Sequence, residues 1–350
     1  MALPSRGSGL AISEDLQASK DGGIRPLLEV RNLNVYFRNR TTDVQAVRDL
    51  SFTIAPGETL GMVGESGSGK SVSALSLLQL LKSPPAVVEG QVLLDGIDLL
   101  SLSPKEIRSI RGRDVAMIFQ EPMTALDPLF PVGHQIAQSL RVHRKMSRKA
   151  AKVAAIEALE QVGIPLPARR YGEYPHQLSG GMRQRVMIAL AIVCEPRLLI
   201  ADEPTTAVDV TIQAQILDLL LELNRDTGMA ILLITHDLGV VAESCQRAIT
   251  MYAGEAVEHG PVDDLLSEPK HPYTSALLQA IPRVETRGLK LRSIPGRVPG
   301  LAEMPIGCRF MARCEFAEEA CAEYQPMRSV GCRGVRCWRH DELQLAGAVQ

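Results

Sequence analysis

Gly61-Met62-Val63-Gly64-Glu65-Ser66-Gly67-Ser68-Gly69-Lys70-Ser71 is the stretch whose reading decides the fold. From Gly64 to Ser71 it spells G-x-x-x-x-G-K-S, after a strand-like Thr59 to Val63 and before a helix-like run from Val72 to Leu81. That context is what a P-loop requires. Gly64, Gly67 and Gly69, with Ser66 and Ser68 between them, let the backbone take positive φ and turn its amides inward, so that N–H groups and a helix N-terminus face one point. A phosphate fits there. Lys70 reaches the outer two phosphates, and the Ser71 hydroxyl ligates the Mg2+ that accompanies them. Without its flanks the same run is only a glycine-rich turn after a strand.

The chain has 350 residues, 45% of them hydrophobic, enough for a large core in one large or two unequal domains. A formal charge of −2 and an aromatic content of 4% argue against nucleic acid as a partner. The longest apolar runs, such as Val186 to Cys194, are about half the ~18 residues that cross a bilayer. Residues 1–27 are expected to form a disordered polar tail without the apolar stretch of a secretion signal, which places the chain in the cytosol. Of seven cysteines, Cys194 and Cys245 stand alone and read as structural, while Cys308, Cys314, Cys321, Cys332 and Cys337 crowd the last fifty residues. In a reducing compartment that crowding suggests metal before disulfides.

Leu28 to Phe37 and Ala46 to Ile54 alternate as an antiparallel hairpin laid before the P-loop. Val87 to Leu94 is a further strand, Asp95-Gly96 a hairpin turn, and Ser103 to Glu106 a capping box with Pro104 at the first helical position. Val115 to Phe119 is a buried strand that ends on Gln120. A helical insertion comes next, with helices over Gly133 to Arg144 and Ser147 to Gly163 and a third from Ser179 to near Cys194. Leu198 to Ala201 is a strand ending on Asp202-Glu203, Ile212 to Leu223 a helix, and Ile231 to Thr235 a strand ending at His236. Strands alternating with helices imply a parallel sheet covered on both faces.

In such a sheet the ligand binds at the carboxyl ends of the strands. Asp202 is placed to hold Mg2+ through water, and Glu203 to orient the attacking water or take its proton. His236 is placed to hydrogen-bond a terminal phosphate, and Gln120 to sense the metal and the water. Each alone is an ordinary strand-end residue; together they complete a nucleotide site. In Leu178-Ser179-Gly180-Gly181-Met182-Arg183-Gln184-Arg185, Ser179 caps a helix and two glycines bare its first amides, a second anion-binding helix N-terminus.

The P-loop, Gln120, LSGGMRQR at 178–185, LLIADEP at 198–204, Asp209 and His236 stand in the order of the ABC-type ATPases, which the chain resembles over about residues 28–260. The resemblance implies an α/β fold: a RecA-like P-loop NTPase core with an antiparallel β subdomain, a helical signature subdomain at about 121–195 within a nucleotide-binding domain at 28–265, and a Cys-rich extension at 266–350. It implies a head-to-tail dimer in which Ser179, Gly180 and Gly181 of one protomer close over ATP held by the other's P-loop. Asp209 lies in the D-loop, here Thr-Ala-Val-Asp where the family more often has an ending in Ala-Leu-Asp. Phe37 matches the aromatic residue that stacks on adenine, with Tyr36 as its competitor.

The segment Phe119 to Pro128 resembles that by which ATPases of peptide, opine and nickel importers meet their membrane subunits, with Asp127 where Asn is commoner. His271-Pro272-Tyr273-Thr274 resembles the C-terminal extension of the same group, although by itself it reads as a helix start with Pro at its first position. These matches imply an ATPase on the cytoplasmic face of the inner membrane, with two permease subunits, a sister or identical ATPase and an extracytoplasmic substrate-binding protein. The solute is expected to be a peptide, with nickel or an opine as the alternative. A soluble ABC ATPase acting on nucleic acid is the competing class.

The spacing of Cys308, Cys314, Cys321 and Cys337 lacks a tight C-x-x-C pair, and four thiolates would staple a tail with little core of its own. The tail resembles that of dipeptide and oligopeptide importer ATPases, which implies a [4Fe–4S] cluster, with Cys332 spare or replacing Cys337. Zinc and free surface thiols are the other two readings.

Overall fold

The computed structural model describes residues 25–38, 43–121, 125–205, 210–281 and 293–348. Most of the expected N-terminal tail, Asp209, and Pro122 to Thr124 of the proposed membrane-subunit segment lie outside the described residues. The first strands, β1 (Leu28–Arg38) and β2 (Asp43–Ile54), pair antiparallel. β4 (Ala86–Leu94) pairs with the other edge of β1, and β5 (Ile97–Asp98) closes this four-stranded sheet across the Asp95-Gly96 turn.

The second sheet has eight strands. Its parallel part is ordered β9 (Arg247–Tyr252), β3 (Thr59–Val63), β8 (Ala230–Thr235), β7 (Leu198–Asp202), β6 (Val115–Ile118). Central strands of such a sheet are apolar at every position because both faces are covered. Leu198 and Ile200 of β7, with Leu232 and Ile234 of β8, enter the core beneath the antiparallel sheet. Leu199, Ala201, Ile231 and Leu233 enter the core shared with the helices. Each fully buried Leu or Ile side chain stabilises by roughly 1.5–3 kcal/mol.

The helices are α1 (Lys70–Leu77), α2 (Pro104–Ile110), α3 (Val132–His143), α4 (Arg148–Gln161), α5 (Pro167–Arg170), α6 (Gly180–Ile192), α7 (Val210–Thr227), α8 (Leu238–Ser244), α9 (Val262–Ser267) and α10 (Pro272–Gln279). The expected capping box is present: the Ser103 side chain accepts from the Glu106 amide and Glu106 accepts from the Ser103 amide. No helix among the described residues is long and apolar enough to cross a membrane.

Several boundaries differ from the sequence reading. α1 starts at Lys70 rather than Val72 because the Gly69 carbonyl already accepts from Ser73 N at 2.9 Å. It stops at Leu77, short of Leu81: Gln79 turns to φ 51, and Arg111 takes the freed carbonyls of Leu78 and Gln79 at 2.8 and 2.7 Å. β7 runs on to Asp202, and α7 to Thr227, where Asn224 bonds the Gly57 and Met229 carbonyls at 2.9 and 2.7 Å.

The tail is also better supported than its composition suggests. β10 (Glu255–Pro261) pairs with β9, and the hairpin of β11 (Arg328–Val330) and β12 (Arg333–Val335) adds to β10, so the extension prolongs the main sheet. Phe310 packs on Tyr252 and Tyr273 with ring centroids 5.1 and 5.2 Å away, sharing a core instead of building one.

His271 caps α10, its ring nitrogen Nδ1 accepting from Tyr273 N at 3.1 Å, and Pro272 occupies the first turn. The ring is buried, and burial pushes its pKa down from 6.5 to about 3, so it is neutral in the folded chain. Between those values the unfolded chain binds the extra proton, so stability is full above the unfolded pKa and falls as pH drops below it. Denaturant titrations are expected to lose up to about 1.4 kcal/mol per pH unit from this group on acidification. His271→Asn, which keeps a cap acceptor without the titration, is expected to flatten that slope.

Candidate functional site

The parallel register puts four strand ends on one line. Val63 lies opposite Thr235, Ile234 opposite Asp202, and Ala201 opposite Ile118. The residues just beyond these strands therefore meet at one rim: the P-loop after β3, His236 after β8, Glu203 after β7 and Gln120 after β6. Ser71 Oγ donates to Asp202 Oδ1 at 3.1 Å, and Gln120 Nε2 donates to Glu203 Oε2 at 3.1 Å. His236 Nδ1 lies 3.6 Å from Glu203 Oε1. One cavity is lined by Phe37, Ser66, Gly67, Ser68, Gly69, Lys70, Ser71, Gln120 and Glu203.

Phe37 reaches this cavity and Tyr36 does not line it, because neighbours on a strand point to opposite faces. The Tyr36 hydroxyl instead accepts from Gln45 Nε2 at 3.2 Å. Ala46, Val72 and Leu301 also line the cavity. Nothing in their local sequence marks these three as site residues.

Lys70 is buried, its ammonium donating to the carbonyls of Gly64 and Glu65 at 2.8 and 3.0 Å. Burial pushes its pKa down, against the pull of Glu203, Asp202 and Glu65. Burial likewise raises the pKa of Asp202; Ser71 and Lys70 oppose this while Glu203 adds to it. Two neighbouring carboxylates beside a buried ammonium form a pocket in which a divalent cation held by Ser71 and Asp202 would satisfy the local charge.

Ser179 caps α6, its Oγ accepting from Met182 N at 3.3 Å, and Ser179 and Gly180 are exposed. Neither they nor Gly181 line the cavity at the chain's own P-loop.

In the extension, Cys308, Cys314 and Cys337 each lie within electrostatic range of Cys321, and Cys314 within range of Cys308 and of Cys337. The backbone amides of Phe310, Phe316 and Arg339, each two residues on, donate to Cys308, Cys314 and Cys337. Cys321 Sγ accepts from Glu318 N at 3.5 Å and from Trp338 Nε1 at 3.4 Å. Burial pushes the Cys308 thiol up to about 12 and the Cys314 thiol to about 11, so neither is an activated nucleophile. Cys332 is directed elsewhere, its Sγ donating to Asp264 Oδ2 at 3.7 Å. Among the described residues no three His, Cys, Asp or Glu side chains are gathered tightly enough for a single metal ion.

Comparison with known proteins gives the family. The family model described as ABC transporter matches residues 47–206, and that described as oligopeptide/dipeptide transporter, C-terminal region, matches residues 257–321. A protein of Brucella melitensis assigned as a peptide import ATP-binding protein is 51% identical over 333 residues, 91% of this chain and 98% of that relative. The dipeptide transport ATP-binding protein of Haemophilus influenzae is 51% identical over 322 residues, 92% of this chain and 97% of its own. An ATP-binding cassette solved as a dimer in a post-hydrolysis state with ADP and Pi has a TM-score of 0.61 at 29% identity, covering 67% of this chain and 98% of its own.

A Cβ on Gly64 would stand 2.1 Å from the Met251 carbonyl oxygen, whereas one on Gly67, at φ +78, would meet nothing within 4 Å. Gly64→Ala is expected to cost at least ~2 kcal/mol and to displace the loop. Gly67→Ala should cost only the ~1–2 kcal/mol of left-handed backbone. Equilibrium unfolding of the two variants checks the order.

Proposed function

The chain belongs to the ATP-binding subunits of ABC transporters, in the group with the oligopeptide/dipeptide C-terminal region, and from that membership we propose how it powers peptide import. It is an ATPase. The observation that carries the assignment of roles is the convergence of Ser71 with Asp202, and of Gln120 and His236 with Glu203, at the mouth of the P-loop.

ATP lies with its phosphates over Gly64 to Ser71 and its adenine against Phe37. Lys70 exchanges its two loop carbonyls for phosphate oxygens. Ser71, Asp202 and Gln120 would hold Mg2+, which would neutralise charge on the phosphates. Glu203 takes a proton from the water that attacks the terminal phosphorus; the bond to the bridging oxygen breaks, and ADP and phosphate result. Gln120 engages one Glu203 oxygen, and the other lies beside His236. Ser179 and Gly180, both exposed, and Gly181, none of which lines the cavity at its own P-loop, close over the ATP of a second ATPase subunit, identical or a sister, and Asp209 belongs to the same interface.

Leu129 and Phe130, 77% and 53% exposed, come directly after Asp127 and Pro128. Leu80, Phe119, Ala125 and Leu190 line a groove. This apolar patch supports docking of two membrane-spanning permease subunits near residues 121–135, on the cytoplasmic face of the inner membrane, with an extracytoplasmic substrate-binding protein in the full complex. The names of the relatives favour a peptide over nickel or an opine as the solute.

We propose that Cys308, Cys314, Cys321 and Cys337 hold a [4Fe–4S] cluster. A single tetrahedral zinc would need its sulfurs about 3.8 Å apart, from Zn–S bonds of about 2.3 Å, whereas in a cluster each thiolate takes its own iron and the set is wider. N–H donors to the sulfurs suit thiolates of either kind, and a bound metal would reverse the burial that now keeps them protonated. When bound, the cluster supplies a staple between segments of the tail and a one-electron centre.

Lys70→Ala is expected to weaken ATP binding. Glu203→Gln should keep binding, slow hydrolysis by about 10²–10⁴-fold and accumulate the ATP-bound dimer. Parent-rate hydrolysis by Glu203→Gln would remove its role as base. Protein purified anaerobically is expected to be brown, with about four irons per chain. Cys314→Ser should lose the iron and Cys332→Ser keep it; colourless protein with stoichiometric zinc would overturn the cluster and leave the ATPase intact.

A further inference from the structure

The P-loop has an acidic residue at its second position, and every polar group of that residue is held. The Glu65 amide donates to the Tyr273 hydroxyl at 2.9 Å. Its carboxylate is gripped by both ends of the Arg313 guanidinium, Nη1 to Oε2 at 2.7 Å and Nη2 to Oε1 at 3.0 Å. Its carbonyl accepts from Lys70 Nζ at 3.0 Å and from Ser68 N at 3.1 Å. Tyr273 and Arg313 both belong to the C-terminal extension, more than two hundred residues along the chain.

Arg313 is itself immobilised. Its Nε donates to the Pro295 carbonyl at 2.7 Å, Nη2 to the Ile294 carbonyl at 3.3 Å and Nη1 to the Tyr252 hydroxyl at 3.3 Å. The guanidinium carbon lies 5.6 and 6.0 Å from the ring centroids of Tyr252 and Phe310, and the side chain is 5% exposed. A planar, fully engaged guanidinium fixes a carboxylate in orientation as well as in charge. That matters here because a loop built to hold a triphosphate gains nothing from an unpaired carboxylate in its own backbone run; like charges at such range repel.

We infer that Arg313 is a positioning residue of the nucleotide site: it neutralises and orients Glu65, and with Tyr273 sets the P-loop carbonyls that Lys70 leaves when phosphate binds. The inference rests on the reading of the P-loop as the ATP site. It makes the extension a component of that site and not only an appendage to the cassette. Nucleotide affinity then depends on residues outside the part of the chain that matches the ABC transporter model.

The test is equilibrium ATP binding to the full chain, with KM and kcat measured alongside, for Arg313→Gln, Glu65→Gln with Arg313→Gln, Arg313→Lys, and Tyr273→Phe. Arg313→Gln bares Glu65 and should raise Kd about tenfold with kcat changed less than about threefold. The double variant removes both charges and should recover most of the loss, which a purely structural role for Arg313 would not allow. Arg313→Lys should fall between, and Tyr273→Phe, which removes one bond and little volume, should raise Kd about threefold. Parent affinity in folded Arg313→Gln would overturn the inference, as would a double variant no better than the single. If Arg313→Gln fails to fold, parent affinity in both Arg313→Lys and Tyr273→Phe would overturn it. Failure of the parent chain to bind ATP would instead sink the ATP-site reading.

Discussion

The parallel pairing of β3, β8, β7 and β6 is the constraint on which the rest depends. In a parallel ladder every strand runs the same way, so its carboxyl ends finish along one edge, and a one-residue slip of a strand exchanges its two faces. Asp202 opposite Ile234, and Val63 opposite Thr235, are consequences of that register. Because β7 and β8 are apolar on both faces and buried on both, a slip would not expose a polar stripe; it would move the strand ends and take Glu203 away from His236 and Gln120. The geometry of the site is thus a property of hydrogen bonding deep in the sheet, expressed at its rim.

Burial carries the electrostatics. Lys70, Asp202 and Ser68 are all nearly removed from water around the P-loop. In a low dielectric each charge is felt more strongly by the others, and the cost of leaving one unpaired rises. Lys70 is lodged on main-chain carbonyls, which are weaker partners than phosphate oxygens. Glu65 would disturb this balance if left bare, and the chain answers with a guanidinium from a distant segment.

That answer shows what the extension does for the fold. Arg48 of β2 pairs with the buried Glu255 and donates to the carbonyls of Ile306 and Gly307 at 2.8 and 2.9 Å. Arg336 donates to Asp49 and to the Gln325 carbonyl. Arg313 ties the same module to the P-loop. Three arginines thus bind a segment with little helix and few strands of its own to two parts of the cassette, β2 and the P-loop. A guanidinium offers five donors in a plane and loses its charge under no ordinary condition, which suits it to hold irregular backbone carbonyls that no ladder satisfies.

The amino-acid sequence by itself determined most of the elements from β1 to β8 and the residues that stand at their ends. The P-loop, the capping box at Ser103, the strand ends at Gln120, Asp202, Glu203 and His236 and the capped start at Ser179 are local signals, written within a few residues, and all are present where the residues place them. Element ends were less legible: α1 begins two residues early and stops four early because Gly69, Gln79 and Arg111 decide it through backbone hydrogen bonds that composition does not reveal. Only the tertiary structure decided that Phe37 rather than Tyr36 faces the cavity, that Leu301 lines it, that β11 and β12 extend the main sheet, and that Arg313 and Tyr273 hold Glu65. The physical reason is range. Caps, turns and periodicity arise from neighbours along the chain, whereas a salt bridge between Glu65 and Arg313 depends on how two sheets and a tail pack, and no local pattern encodes that partner.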